Sequence, residues 1–377
     1  MVQREAVLRL DERWARVRAG VAPAEPAEQE GLLDELIGAL RALTDDPECT
    51  ALLGLRLADR AALRFAAGDR AGALATIEEG LRSSERAARH TPEYARWYAR
   101  GLINHGVWLA WPLSDADRLP RHPLGAAADQ GPSAMERAAG ERARDLTRTA
   151  VEVWAGLDQR DPVNRQGLAQ AKVFLGDRLA ELGLTEDAVA WAVDAEADFR
   201  RLLLADPAAE EAEAAEEALD HIGRQLELRL RYLAFDELVG LRTRGLLPER
   251  LLPRAVVAAR IRSVEEPEIA SRLHLGAEQV RTMLEVTPWL AVWRFDVRGA
   301  DGLWHALPHP WRGATEVRNR TAQDVASSLV RGFTLSPDHP GDAAHWRVLL
   351  WWHEEGDPAG AGFRLLSSPD APPPTPS

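Results

Sequence analysis

The residues in this sequence that could most readily do chemistry are two histidines near the C-terminal end and a single cysteine. His305 and His309 stand four residues apart, which on a helix would direct two metal ligands to one side. Pro308 and Pro310 disfavour that helix, and no carboxylate stands at a characteristic spacing, so we expect no metal site. Cys49 has no second cysteine with which to form a disulfide or a thiolate cluster, and we expect it to be buried.

Motifs for phosphate, nucleotide or acyl chemistry are absent from the sequence. The only lysine, Lys172, falls within a helical pattern and does not follow a glycine-rich loop, which excludes a P-loop. The sequence contains no Gly-x-Ser-x-Gly nucleophile elbow and no dinucleotide-binding glycine loop after a strand. We therefore predict a non-enzymatic protein that uses no cofactor and no metal.

The composition is typical of a folded protein that does not bind nucleic acid through charge alone. Of the 377 residues, 46% are apolar, and the formal net charge is −13, which disfavours sequence-independent contacts with phosphates. No apolar run is long enough to span a membrane, and the charged N-terminus lacks the apolar core of a signal peptide. These features predict a cytoplasmic protein that does not contact a membrane.

Helical periodicity dominates the first two thirds of the chain. From Ala6 to Leu247 apolar residues recur three and four positions apart, and Pro and Gly fall mostly between the helical segments. Residues 111–137 interrupt this pattern with many Pro, Gly and Asp residues, which predicts a loop inserted between two helices. The Pro-rich residues 367–377 are expected to be disordered.

Three similar strings in the helical region carry a glycine at a matching position. INHGVWLA, VFLGDRLA and DHIGRQLE share the pattern Gly-x-x-Leu, which begins at Gly106, Gly176 and Gly223. A second shared spacing, an Ala five residues after a Gly, occurs after Gly68 and after Gly183. These residues resemble the tetratricopeptide repeat, a pair of antiparallel helices that approach closely at small residues.

The tetratricopeptide resemblance covers about residues 50–247 and implies an α-solenoid within a first domain of residues 1–247. Such proteins bind a peptide or another protein in a groove, so we predict an adaptor or scaffold that holds a protein or peptide partner. The predicted partner-binding residues are Arg96, Trp97, Arg100, Asn104, His105, Trp108, Arg178 and Arg224.

Residues 248–288 differ from the repeats and predict a short helical segment. Ser263 with Glu266 is typical of a capping box. The apolar positions that follow suit two short packed helices: Ile269, Ala270, Leu273, Leu275, Val280 and Met283. Over residues 263–286 this pattern resembles the helix-turn-helix of bacterial regulators, with His274 at the turn position that usually carries glycine.

Two interpretations of this segment follow. The first is a helical linker that packs the repeats against the next domain, and the second is a DNA-contacting motif in a transcriptional regulator whose repeats sense a partner. Carboxylates on the segment offset its arginines, which favours the linker. The candidate DNA-binding residues are Arg254, Arg260, Arg272, Gln279, Arg281 and Thr282.

Residues 289–366 are rich in tryptophan and predict a small α+β domain. Apolar residues alternate from Trp289 to Val297, which is the two-residue period of a strand. The strings LWHAL, HWRVLLWW and GFRLL predict further strands, and Thr321 with Asp324 predicts the start of a helix between them. The predicted fold class is therefore mainly α: a solenoid, a helical linker or helix-turn-helix segment, and a small α+β domain.

Most of these tryptophans are needed to fill the core of so small a domain. Trp351 and Trp352 are adjacent and must face opposite sides of their strand. One of this pair is therefore the best candidate for an exposed or interface aromatic side chain that contacts a partner.

Overall fold

A computed structural model describes residues 2–22, 25–110, 134–205, 209–230, 233–299, 301–336, 345–352 and 363–366. These residues are mainly α-helical, with a small antiparallel sheet near the C-terminal end. The chain divides into two compact units, and in the described residues the division falls between Ile222 and Gly223. None of the described helices combines the length and apolar character that crossing a bilayer requires.

The described part of the first unit is built from helices. They are α1 (Val2–Arg18), α2 (Pro26–Arg41), α3 (Pro47–Ala66), α4 (Arg70–His90), α5 (Ala95–Ala110), α6 (Ala134–Ala155), α7 (Pro162–Glu181), α8 (Thr185–Leu204) and α9 (Ala209–Leu230), which runs across the division. From α1 to α8, each helix packs against the next along the chain. The helical periodicity read from the sequence is therefore confirmed here.

Short polar residues and glycines set the ends of these helices. Asp46, Asp69 and Asp161 accept hydrogen bonds from first-turn amides of α3, α4 and α7. Gly68 and Gly183 lie in the turns after α3 and α7 with φ of +83° and +76°, which glycine adopts at little steric cost.

The predicted insertion ends earlier than expected. Helix α6 begins at Ala134, so residues 134–137 are helical, because Ala, Met, Glu and Arg are strong helix formers. Residues 111–133 and the predicted tail at 367–377 lie outside the described residues.

The matched glycines do not occupy equivalent positions. A Cβ atom on Gly106 would lie 3.0 Å from the carbonyl oxygen of Ala143, so α5 and α6 meet closely there, as predicted. A Cβ atom on Gly223 would meet no described atom within 4 Å, so the predicted helix contact at Gly223 is wrong. A shared Gly-x-x-Leu string records local sequence, whereas close approach depends on which helix packs opposite.

The second unit combines short helices with an antiparallel sheet. Its helices are α10 (Phe235–Thr243), α11 (Leu252–Ile261), α12 (Glu266–Arg272), α13 (Ala277–Val286) and α14 (Ala322–Leu335). Its strands are β1 (Trp289–Arg298), β2 (Trp304–Ala306), β3 (Arg312–Val317), β4 (Trp346–Trp352) and β5 (Phe363–Leu366). Their order is β2-β1-β4-β5, and β3 also pairs with β1, which makes β1 the central strand.

One core joins the short helices to the sheet. The predicted apolar positions of α12 and α13, including Ile269 and Val280, pack in the same cluster as Phe295 of β1 and Phe333 of α14. The rings of Phe295 and Phe333 stack with their centroids 4.3 Å apart. The segment of residues 248–288 is therefore part of the core that supports the sheet.

The two capping predictions have different outcomes. Thr321 and Asp324 form the predicted capping box at the start of α14. Ser263 does not cap α12, because it lies just after α11 with φ of +65°, whereas an N-cap residue needs extended backbone. Glu265 is the N-cap residue of α12 instead.

Candidate functional site

A groove in the first unit lies where α3, α4 and α5 meet beside the end of α1, and we call it the Trp97 groove. Three of the predicted partner-binding residues line it together: Trp97, Arg100 and Asn104. They stand three and four residues apart on α5, so one side of that helix carries all three. Arg18 and Asp59 complete the polar part of the lining.

Small residues form the floor of the groove. Gly54 of α3 and Gly80 of α4 both line it, and a Cβ atom on Gly54 would stand 2.9 Å from the carbonyl oxygen of Gly80. A Cβ atom on Gly101 of α5 would stand 2.9 Å from a methyl carbon of Leu81. The three helices therefore approach without bulky side chains, and Leu81 and Ile77 supply an apolar surface.

Trp97 is fixed at the edge of the groove by aromatic and aliphatic packing. Its ring lies 5.2 Å from the ring of Tyr94, measured between centroids. The same side chain packs against the apolar core of α1, α2 and α3. Trp97 is half-buried, so part of its ring stays accessible from the groove.

The groove carries positive charge that the described residues do not neutralise. Burial in the concave wall, followed by repulsion from Arg96 and Arg18, lowers the pKa of Arg100. Arg100 as a whole residue is nevertheless exposed, because a side chain in a concave surface can lose part of its hydration and still reach solvent. Neither Arg96 nor Arg100 has an ion-pair partner in the described part of the chain.

The carboxylate of Asp59 is already occupied by three donors. Trp14 Nε1 lies 2.7 Å from Asp59 Oδ2, and Arg56 donates to the same oxygen at 2.7 Å. Arg18 donates to Asp59 Oδ1 at 3.3 Å. Arg56 also donates to Asp11 at 2.6 Å. Asp59 therefore ties α1 to α3, and it does not offset the charge of Arg100.

Three other predicted partner-binding residues are buried, and those predictions are corrected. His105 is 1% exposed, Arg178 6% and Trp108 9%. Trp108 stacks on Phe65 with centroids 5.5 Å apart, and Arg178 pairs with Glu181 at 2.8 Å. Each side chain points into the helix packing, so none is presented to a partner.

Burial of His105 between the helices shifts the pKa of its ring strongly. Burial, with a smaller effect of the Arg142 charge, lowers the pKa of His105 to about 4, and Glu78 opposes this only partly. Neither ring nitrogen has a hydrogen-bond partner in the described residues. The last predicted residue, Arg224, is exposed on α9 in the second unit and does not belong to the groove.

The candidate DNA-binding arginines are all engaged within the second unit. Arg254 donates to the carbonyl of Pro288 at 2.9 Å, and Arg260 lies 3.4 Å from Glu265. Arg272 pairs with Asp236, and its guanidinium lies over the ring of Phe235.

The candidate residues of α13 also make local contacts, although they are exposed. Arg281 pairs with Glu278 at 2.8 Å, and the hydroxyl of Thr282 donates to the carbonyl of Glu278. The side chain of Gln279 accepts from the amide of Gly276 at the start of the helix. His274 has φ of +54°, so the left-handed turn lies where the sequence placed it.

Trp351 and Trp352 face opposite sides of β4 as predicted, but neither is exposed. Trp351 is 5% exposed and lies under the guanidinium of Arg294, 5.4 Å from the ring centroid. Trp352 is half-buried and meets Trp289 edge-on at 6.4 Å. Trp351 is therefore corrected as a candidate contact aromatic, whereas the half-buried Trp352 stays the candidate of this pair.

A charge cluster around the buried Asp296 on β1 and β4 was not predicted from the sequence. Asp296 is 1% exposed and accepts from Arg294 and Arg347, each at 2.7 Å. Arg294 and Asp296 are two residues apart on β1, and Asp296 stands opposite Arg347 in the register of β4. Charged residues at every second position, as at Arg294 and Asp296, can indicate a charge cluster on one side of a strand. The same spacing is equally typical of a strand whose charged side faces solvent.

Two comparisons with known proteins leave the family of this chain unassigned. No protein-family model matches it, and a search of the curated proteins finds no similar sequence. In the described residues, no group of three or more His, Cys, Asp or Glu side chains is arranged to hold a metal ion. The Trp97 groove is the candidate site because exposed polar groups and an accessible aromatic ring converge there.

Proposed function

We propose that this protein is a non-enzymatic adaptor with tetratricopeptide-like repeats, which binds a protein or peptide partner in the Trp97 groove. The single observation that carries the proposal is the convergence of Trp97, Arg100 and Asn104 on one concave surface. A half-buried ring beside exposed polar groups over an apolar floor is a typical arrangement for binding a peptide.

The packing order of the helices supports a repeat architecture. The pairs α3–α4, α5–α6 and α7–α8 are each formed by consecutive helices, and the first helices of neighbouring pairs also touch, α3 with α5 and α5 with α7. In a helical solenoid the first helices line the inner surface. The Trp97 groove is lined by the first helices α3 and α5, where a tetratricopeptide-like array would bind its partner, and also by α4, the second helix of its pair.

A displayed library of short random peptides tests this proposal. Peptides selected on the wild-type protein should bind a Trp97→Ala/Asn104→Ala variant at least about tenfold more weakly, because truncating an aromatic hot spot costs roughly 2 kcal/mol or more. Arg148→Gln on the exposed side of α6 is the control. Peptides that bind both variants as tightly as the wild type would contradict the proposal.

The alternative, a transcriptional regulator, has one favourable observation. Helix α13 buries Val280 and Leu284 and exposes Gln279, Arg281 and Thr282, as a DNA-reading helix does. The internal pairing of the arginines and the exposed Glu278 and Glu285 weaken it. Salt-sensitive, sequence-selective retention of duplex DNA that an Arg281→Ala/Thr282→Ala variant loses would favour the regulator over the adaptor.

A further inference from the structure

We infer that the Trp97 groove selects a peptide segment that carries an acidic side chain next to an apolar one. This inference rests on the proposed function, and it names the chemistry of the partner that the groove would accept.

The groove has an excess of positive charge. Arg18, Arg96 and Arg100 lie in or beside it, and the nearby carboxylate, Asp59, already accepts from Trp14, Arg56 and Arg18. The remaining charge on Arg96 and Arg100 has no partner in the described residues. This excess of positive charge lies on a chain whose formal net charge is −13.

Arg100 is partly desolvated in the free protein. The pKa of Arg100 is lowered by burial first and then by Arg96 and Arg18, so its cationic form is less well stabilised than that of a fully hydrated arginine far from other cations. A ligand carboxylate would supply the missing counter-charge through a charge-assisted hydrogen bond.

The neighbours of Arg100 define the rest of the ligand. Asn104 follows one helical turn later and is exposed, so its amide can donate to a carboxylate or to a peptide carbonyl. Trp97 precedes Arg100 by one turn, and Ile77 and Leu81 line the floor. An acidic residue beside a small or aliphatic residue therefore matches both the charge and the apolar surface.

A nucleic acid fits these observations less well. Affinity for nucleic acid grows with the number of phosphates that are neutralised. The groove lining offers one unpaired arginine, Arg100, with the charge of Arg96 acting on it, and the protein has a strongly negative net charge. A short acidic peptide needs only the positive charge of the groove itself in order to bind.

The experiment uses the peptides selected on the full-length wild-type protein and their Asp→Asn and Glu→Gln versions, compared by fluorescence anisotropy. The selected peptides should be enriched in acidic residues. Changing the critical acidic residue to its amide should weaken binding by about tenfold or more, the loss expected for a hydrogen bond between charged groups.

Two variants with the same change of charge assign the effect to the groove. Arg100→Gln should weaken the acidic peptide and largely abolish the difference between the acidic and amide peptides, as expected for a coupled pair. Arg148→Gln, which removes an exposed arginine from α6, should leave that difference intact. Circular dichroism and thermal unfolding establish that both variants are folded.

The possible outcomes separate the inference from the proposed function. Neutral or basic peptides that bind in the groove, or acidic peptides that Arg100→Gln does not affect, would overturn the inference and leave the adaptor intact. Peptides that ignore Trp97→Ala/Asn104→Ala, or a failure to select any peptide, would overturn both. Binding of a single-stranded oligonucleotide through Arg100 and Trp97, with no acidic peptide bound there, would replace the acidic peptide with a different ligand class.

Discussion

A Cβ atom placed on Gly80 of α4 would stand 3.0 Å from the carbonyl oxygen of Gly54 on α3. The two helices therefore cross with backbone against backbone, and this contact forms part of the floor of the Trp97 groove. The depth of the groove depends on keeping both positions small.

Gly54→Ala should destabilise the first unit. Its Cβ atom would overlap Ser84 Oγ at 2.0 Å and approach the Gly80 carbonyl oxygen at 2.9 Å, and overpacking of this kind costs about 1–3 kcal/mol. Urea unfolding followed by circular dichroism measures the loss. Gly38→Ala on α2, where a Cβ atom meets nothing within 4 Å, is the matched control and should instead stabilise the protein by about 0.5–1 kcal/mol.

Lowering the pH should destabilise the protein through His105. Its pKa is about 4 in the folded state against 6.5 for an ordinary histidine, so between these values the unfolded chain binds more protons. Stability is then fully present above about pH 6.5, and about 3 kcal/mol is lost as the pH falls to about 4.

Unfolding curves of His105→Leu over this pH range test that prediction. The variant lacks the titrating ring, so the loss of stability towards pH 4 should be reduced by about the same amount. His90→Gln, on the exposed last turn of α4, controls for the removal of a histidine. An unchanged pH dependence in His105→Leu would show that other groups carry it.

Asp296→Asn should severely destabilise the second unit. The substitution removes the buried carboxylate that accepts from Arg294 and Arg347, and with it the negative charge that it places beside two half-buried guanidinium groups. Breaking a buried ion pair by removing one partner costs about 3–5 kcal/mol. Glu316→Gln, at an exposed ion pair with Arg318, should change stability by less than about 1 kcal/mol. Tryptophan fluorescence during urea unfolding measures the change in the free energy of unfolding for both variants.

Patterns that depend on neighbouring residues predicted much of the secondary structure. The Thr321–Asp324 cap is set locally and appears in the structure. The alternation predicted from Trp289 to Val297 gives strand β1 and holds as far as Phe295, but Asp296 on the opposite face is buried as well. Strand β3 was missed because five of its six residues are exposed, so its sequence shows no alternation of buried and exposed residues.

Which side of a helix faces a partner depends on distant packing, and there the sequence was a weaker guide. Asn104 and His105 are consecutive, yet Asn104 is exposed and His105 is buried. The Gly-x-x-Leu comparison could have included Gly54 and Leu57, which have the same spacing, whereas Gly223 carries the string without the helix contact.

Site-specific photo-crosslinking to a selected peptide tests the central claim most directly. A photoreactive amino acid at position 104, inside the Trp97 groove, should crosslink the peptide, and the same amino acid at position 148 on α6 should not. Excess unlabelled peptide should suppress the crosslink at position 104. Equal crosslinking at both positions, or crosslinking at position 148 alone, would contradict a binding site in the groove.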